Sequence, residues 1–238
     1  MSTLCAVPLH LWTQSPPSPR NRLTCAIRIL MVIPQFIVLF FVNIAAFFAV
    51  IAAWFAALVT GRVPDGLRDF IAGVLRWNIR VQGYLYFLTD AYPPYSMGEE
   101  EAYPVRLAIP PPGELNRAAV LFRLLIAIPA GIVANVVGAG LGVVSIGSWF
   151  MLLVTGELPG PLFEAARTVV RYQARLYGYF VMLTPEYPWG VMGDQPALAG
   201  GVDTDGAWSI VLSSGGRTAM VVVIVLGVIV DIFNRGRL

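Results

Sequence analysis

Two long uncharged stretches dominate the chain, 33 residues between Arg28 and Arg62 and another 33 between Arg123 and Glu157. Each is about 50 Å long as a straight helix, whereas a hydrocarbon core about 30 Å thick needs about 20 residues. Neither fits a single upright span. Pro34 and Pro129 lie near the starts, where a kink separates an interfacial first turn or two from a tilted span reaching Thr60 or Thr155. The competing reading is a hairpin bent in mid-run, near Asn43 in the first stretch and at Gly138 to Gly142 in the second. Because no Gly or Pro flanks Asn43, the tilted span is preferred.

A mixed segment follows each stretch, Leu67 to Thr89 and Leu162 to Thr184. At 100° per residue, Leu67, Phe70, Ile71, Val74, Leu75, Val81, Leu85 and Leu88 form an apolar face opposite Asp69, Arg76 and Arg80. The second segment reproduces that polar stripe with Glu164, Arg171 and Arg175. A last run of 13 uncharged residues between Arg217 and Asp231 predicts a C-terminal helix near residues 217–234.

The likeness of the two halves is a tandem duplication. Shifting the chain by 95 residues aligns Asn21 to Gly98 with Asn116 to Gly193 without a gap, giving 29 identities in 78 positions. The matches include Arg28 with Arg123, Pro34 with Pro129, Trp54-Phe55 with Trp149-Phe150, and Gly83-Tyr84 with Gly178-Tyr179. Upstream, Ala6 to Leu11 resembles Ala102 to Leu107 once one residue is skipped, and both read as short strands. Ala207 to Leu212, followed by Arg217, suggests a truncated third start. The units are therefore drawn as residues 6–98, 99–193 and 194–238.

Strands with open edges cannot sit in hydrocarbon, so like units in like environments contain an even number of crossings. The fold expected is an all-α integral membrane protein, a tandem repeat of helical hairpins with short extramembrane β-strands and a C-terminal transmembrane helix. Its helices fall near residues 30–60, 67–89, 124–155, 162–184 and 217–234. Seven arginines near the strand side against five on the far side lean toward a cytoplasmic strand side.

Composition agrees with a membrane setting. Apolar residues make up 57% and charged ones 13%, with a mean hydropathy of +0.72, against about 25% charged in soluble domains. A net charge of +2, with every basic residue an arginine, is no footprint of a nucleic-acid binder. Met1 to Arg20 does not read as a signal peptide, because Pro8, His10 and the Pro16 to Pro19 cluster interrupt its apolar stretch.

Arginines at mid-span would cost about 2.5 to 3.5 kcal/mol each if they met lipid. Asp69, Arg76, Arg80, Glu164, Arg171 and Arg175 are thus the candidate contact residues. They pair internally, meet lipid phosphates, or line an ion or solute path. Tyr92, Tyr95, Tyr187 and Trp189 are read as interfacial anchors. His10 is the only histidine, no lysine exists, Cys5 and Cys25 have no partner pattern, and Gly138 to Gly142 lacks the Lys-Ser/Thr of a P-loop. No enzyme, metal site or cofactor is expected. The function expected is a multi-pass structural or accessory protein of the cell membrane, lipid-associated or a subunit of a larger membrane complex. Its partners are membrane lipids, anionic ones included, or other membrane-protein subunits, and not nucleic acid. The alternative is a small-solute or ion transporter or channel component built from a parallel repeat.

Leu58-Val59-Thr60-Gly61-Arg62-Val63-Pro64, Val74-Leu75-Arg76-Trp77 and Leu88-Thr89-Asp90-Ala91-Tyr92-Pro93-Pro94-Tyr95 together resemble a bacterial membrane family labelled domain of unknown function 4389. The resemblance recurs once per unit. The second copy departs from it at Gly156-Glu157-Leu158-Pro159 and at Thr184-Pro185-Glu186-Tyr187-Pro188. What the resemblance implies is a membrane location, with no activity attached.

Overall fold

The computed structural model describes residues 9–14, 20–193 and 210–236. Asp203, Asp205, Cys5 and the starts of the first and third predicted strands lie outside them. In chain order the elements are β1 (His10–Thr13), α1 (Arg22–Thr60), α2 (Asp65–Leu85), β2 (Val105–Ala108), α3 (Arg117–Thr155), α4 (Gly160–Phe180) and α5 (Ser214–Arg235).

α1 and α3 are 39 residues each and continuous through Pro34, Pro129, Asn43 and the Gly138 to Gly142 cluster. The mid-run hairpin is therefore not formed. Both helices start one to two turns before the apolar runs suggested, because Asn21 and Asn116 accept hydrogen bonds from the first free backbone N–H groups. Both end on a glycine in the left-handed region, Gly61 at φ 80° and Gly156 at φ 76°.

α2 and α4 stop a turn earlier than predicted. Leu88 N–H donates to Gly83 O and Leu183 N–H to Gly178 O, while Phe87 and Met182 take φ 62° and φ 64°. This is a Schellman ending without the customary glycine, and the left-handed backbone costs roughly 1 to 2 kcal/mol at each site. With no glycine at those positions, the sequence offers no stop signal there.

α1, α3 and α5 are long and apolar enough to cross a membrane. α2 and α4 are about 31 Å long, but their polar residues exclude them from that class. The expected set of five crossings is reduced to three candidates. The apolar surface of the three is laid bare, with Phe40, Phe47 and Phe55 on α1, Ile132 and Ile146 on α3, and Ile229 and Phe233 on α5 all exposed. A surface of that extent marks lipid or protein contact.

The two units are related by a pseudo-twofold axis. β1 and β2 pair antiparallel, and the central pair, Leu11 with Leu107, joins equivalent positions of the duplication. At the helix ends, Leu115 N–H donates to Gly61 O at 2.8 Å and Arg20 N–H to Gly156 O at 2.9 Å. The indole N–H groups of Trp54 and Trp149 reach Val120 O and Cys25 O at 3.1 and 3.0 Å. α1 and α3 are therefore antiparallel, each beginning where the other ends. The strands are exchanged between units. Val105 of β2 lies against Gly83 of α2, and Leu9 before β1 lies against Gly178 of α4.

α5 has no counterpart in the first unit. It crosses α3 so closely that a Cβ on Gly140 would sit 1.8 Å from Val223 O, and one on Gly227 1.9 Å from Val136 O. Gly140→Ala is expected to destabilise the protein by about 1 to 3 kcal/mol through overpacking, measured as a lowered Tm in detergent. Gly142→Ala, at a position with open space around it, should leave Tm unchanged or raised.

Candidate functional site

Two buried arginines lie near the starts of the long helices, at equivalent positions of the duplication. Arg28 of α1 is 1% exposed and Arg123 of α3 is 3% exposed. Arg28 Nη1 donates to Tyr84 O at 2.6 Å, Nη2 donates to Asp90, and the guanidinium lies 4.5 and 4.8 Å from the Tyr84 and Phe87 ring centres. Arg20 adds a second cation, donating to Phe87 O at 2.9 Å and to Asp90 Oδ1 at 3.4 Å. Burial lowers the pKa of Arg20, and the neighbouring Asp90 carboxylate opposes that shift. The left-handed turn at Phe87 is thus held open by two guanidinium groups on its carbonyls. Strain of this kind persists where the surroundings over-determine it.

The second unit keeps half of this arrangement. Arg123 Nη1 donates to Tyr179 O at 2.8 Å, and its guanidinium lies 4.5 Å from the Tyr179 ring centre. Leu115 and Pro185 stand where the first unit has Arg20 and Asp90, and no carboxylate pairs with Arg123 among the described residues. The nearby acid, Glu186, has its pKa raised by burial, countered by the charge of Arg175.

The stripe residues are on one helical face, but the acid–arginine pairing is not made. Asp69 is exposed, and Arg76 pairs instead with Glu99 at 2.6 Å. Arg80 is buried, donating to Ser96 O at 3.0 Å and to Gly98 O. Glu164 turns away from Arg171 and accepts from Ser213 N and Oγ at 3.0 and 2.8 Å, holding the start of α5. Arg171 is fully buried and donates to Gly190 O at 3.0 Å, and Arg175 Nε reaches Leu9 O at 3.1 Å. A buried charge is tolerable only when its donors are satisfied this way.

Of the four aromatic anchors, Tyr92, Tyr95 and Trp189 are exposed and Tyr187 is half-buried. Tyr92 Oη donates to Met31 O at 3.1 Å and shares a hydrogen bond with Tyr95, so this pair ties the connecting loop to α1. The Tyr187 and Trp189 rings are in tilted contact, with centres 4.8 Å apart and planes inclined by 54°.

Two clefts accompany these residues. One, of about 230 Å³, lies between α2 and β2 and is lined by Arg76, Arg80, Glu99, Glu100 and Arg106. The other, about 290 Å³, opens between α1, α2 and the end of α4, with Asn43, Asn78, Gln82 and Tyr177 in its wall. Among the described residues no group of three or more His, Cys, Asp or Glu is placed to hold a metal ion.

Arg20, Arg28, Arg123 and Asp90 escaped the selection of site residues. Repetition of an arginine beside the same proline in both apolar runs was the available signal for Arg28 and Arg123. For Asp90 the signal was its place in the Leu88-Thr89-Asp90-Ala91-Tyr92 motif, which the second copy lacks, and nothing in the sequence singled out Arg20.

The family model described as Domain of unknown function (DUF4389) matches residues 22–97 and again residues 117–192. No curated protein and no solved structure shows a significant match.

Asp90→Asn strands two buried guanidinium groups and is expected to cost about 3 kcal/mol, the lower end of the range for a broken buried pair because Asp90 is partly exposed. Asp69→Asn should change stability by less than about 0.5 kcal/mol. Chemical denaturation in a mild detergent compares the two, and equal losses would contradict this assignment.

Proposed function

We propose, from the premise that the chain belongs to the DUF4389 family and carries its domain twice, that it is a structural or accessory protein of the cell membrane. It is held by lipid and makes no path for solutes. The observation that supports this reading is where the arginines go. Arginines serving a conducting path or an anionic substrate would face water, whereas Arg28, Arg123 and Arg171 are buried against carbonyls of their own chain.

Contact with anionic headgroups then falls to other arginines than the stripes. Arg22, Arg62 and Arg117 are exposed at the ends of the long helices, and Arg217 is exposed in the first turn of α5. Guanidinium groups at a membrane surface attract anionic lipid by about 1 kcal/mol each.

In proteoliposomes the protein should leave ion and small-solute permeability at the level of empty vesicles. Replacing Arg22, Arg62, Arg117 and Arg217 together with Gln should reduce the anionic phospholipid that co-purifies several-fold, while Arg76→Gln leaves it unchanged. Flux above the empty-vesicle level that disappears in Arg171→Ala would overturn the reading in favour of a transporter.

A further inference from the structure

Resting on the membrane reading above, we infer that α1 and α3 lie along the hydrocarbon of one leaflet with all four of their ends on the same side. α5 alone crosses the bilayer.

The argument starts from the chain that covers α2. Residues 96–116 cover that helix along its length, from Gly83, which meets Val105, to Gly61 just before its start, which meets Leu115. Arg80 donates to Ser96 O and Gly98 O, and Met97 sits on Gly73. Further on, Arg68 donates to Pro110 O and Leu115 N–H to Gly61 O. Apart from β2 and the first caps, this cover is irregular backbone, and Glu99, Glu101 and Glu114 on it are exposed. In the second unit Arg171 meets Gly190 O near the middle of α4, and Glu164 meets Ser213 near its start. Irregular backbone and exposed carboxylates do not face acyl chains. If α2 stood upright, its cover would have to cross the hydrocarbon at the lipid-facing surface, and α4 is related to α2 by the pseudo-twofold axis. The two helices therefore lie in the plane of the membrane surface.

α1 and α3 inherit that orientation, because each packs lengthwise and antiparallel on its partner. Arg28 meets Tyr84, Gln35 meets Trp77 at 2.8 Å, and Asn43 meets Asn78. In the second unit Arg123 meets Tyr179 and Tyr172 Oη meets Ala130 O. The pseudo-twofold axis through Leu11 and Leu107 then points along the membrane normal. An apolar run too long to stand in a bilayer is no longer too long when it lies down.

α5 follows a different course. It begins beside Glu164 of α4, passes the middle of α3 at Gly140, and ends about 33 Å from its start at an exposed Asp231–Arg235 pair of 2.9 Å. A helix of that length starting in the polar layer is long enough to reach the opposite face.

Single-cysteine variants at Arg22, Arg62, Arg117, Glu157 and Arg235, in a background with Cys5→Ser and Cys25→Ala, test this in sealed vesicles. Vesicles captured through a tag appended after Leu238 all have the α5 terminus outside. An impermeant maleimide should label position 235 at once and the other four only after detergent is added. Labelling of position 62 but not 22, or of 157 but not 117, would show that a long helix crosses, and overturn the inference. Labelling of all five before detergent would overturn the crossing of α5. None of these outcomes depends on whether solutes flow, so the proposed function fails or survives separately in the flux assay.

Discussion

Hydrocarbon accepts neither an unpaired backbone carbonyl nor an unshielded guanidinium, and with the proposed membrane placement that single constraint orders this molecule. Sixteen arginines and no lysine must be placed in a chain that is 57% apolar. The fold meets the demand by sorting its elements into a polar cover, a middle pair of amphipathic helices and an outer pair of long apolar ones. The guanidinium groups of Arg28 and Arg123 reach from the apolar pair onto the C-terminal carbonyls of α2 and α4. Each such bond joins two layers and turns a guanidinium donor inward, onto a carbonyl of its own chain.

The duplication lets the layers close on themselves. Strands exchanged across the axis put each unit's first residues on the other unit's helix, so neither unit completes its own core. Where the copies differ, one change offsets another. Gln35 bonds Trp77 in the first, whereas Tyr172 bonds the Ala130 carbonyl in the second. The Asn43–Asn78 amide pair becomes Gly138 beside Gln173, whose amide lies 2.7 Å from where a glycine Cβ would be. Side-chain bulk thus moves from one helix to its neighbour while the space between them stays filled. The larger difference is α5, which packs on α3 and α4, while no described element packs on α1 and α2 in the same way.

Much of this was legible in the residues. The repeat, the apolar runs and the segregation of arginines to one face of α2 and α4 followed from spacing alone. The Asn and Gly caps of α1 and α3 were also present, but the starts of the apolar runs masked them. What spacing does not carry is partnership. Asp69 and Glu164 sit seven residues before an arginine, yet Glu99 takes Arg76 from a loop 23 residues away and Ser213 takes Glu164 from a helix start 49 residues away. The ends of α2 and α4 were misplaced for a similar reason. Their left-handed Phe87 and Met182 are imposed by tertiary contacts with Arg20 and Arg28 or with Arg123, not by a local glycine.

The separation of the arginine-bearing cover from the acyl chains is most directly measured by photolabelling in nanodiscs with a lipid carrying a carbene precursor on its acyl tail. Adducts are predicted on α1, α3 and α5, at residues such as Phe40, Ile132 and Ile229, with none on residues 96–116 or on the Arg76 and Arg80 face of α2. Adducts on that cover at a density equal to those on α1 would contradict the layered arrangement.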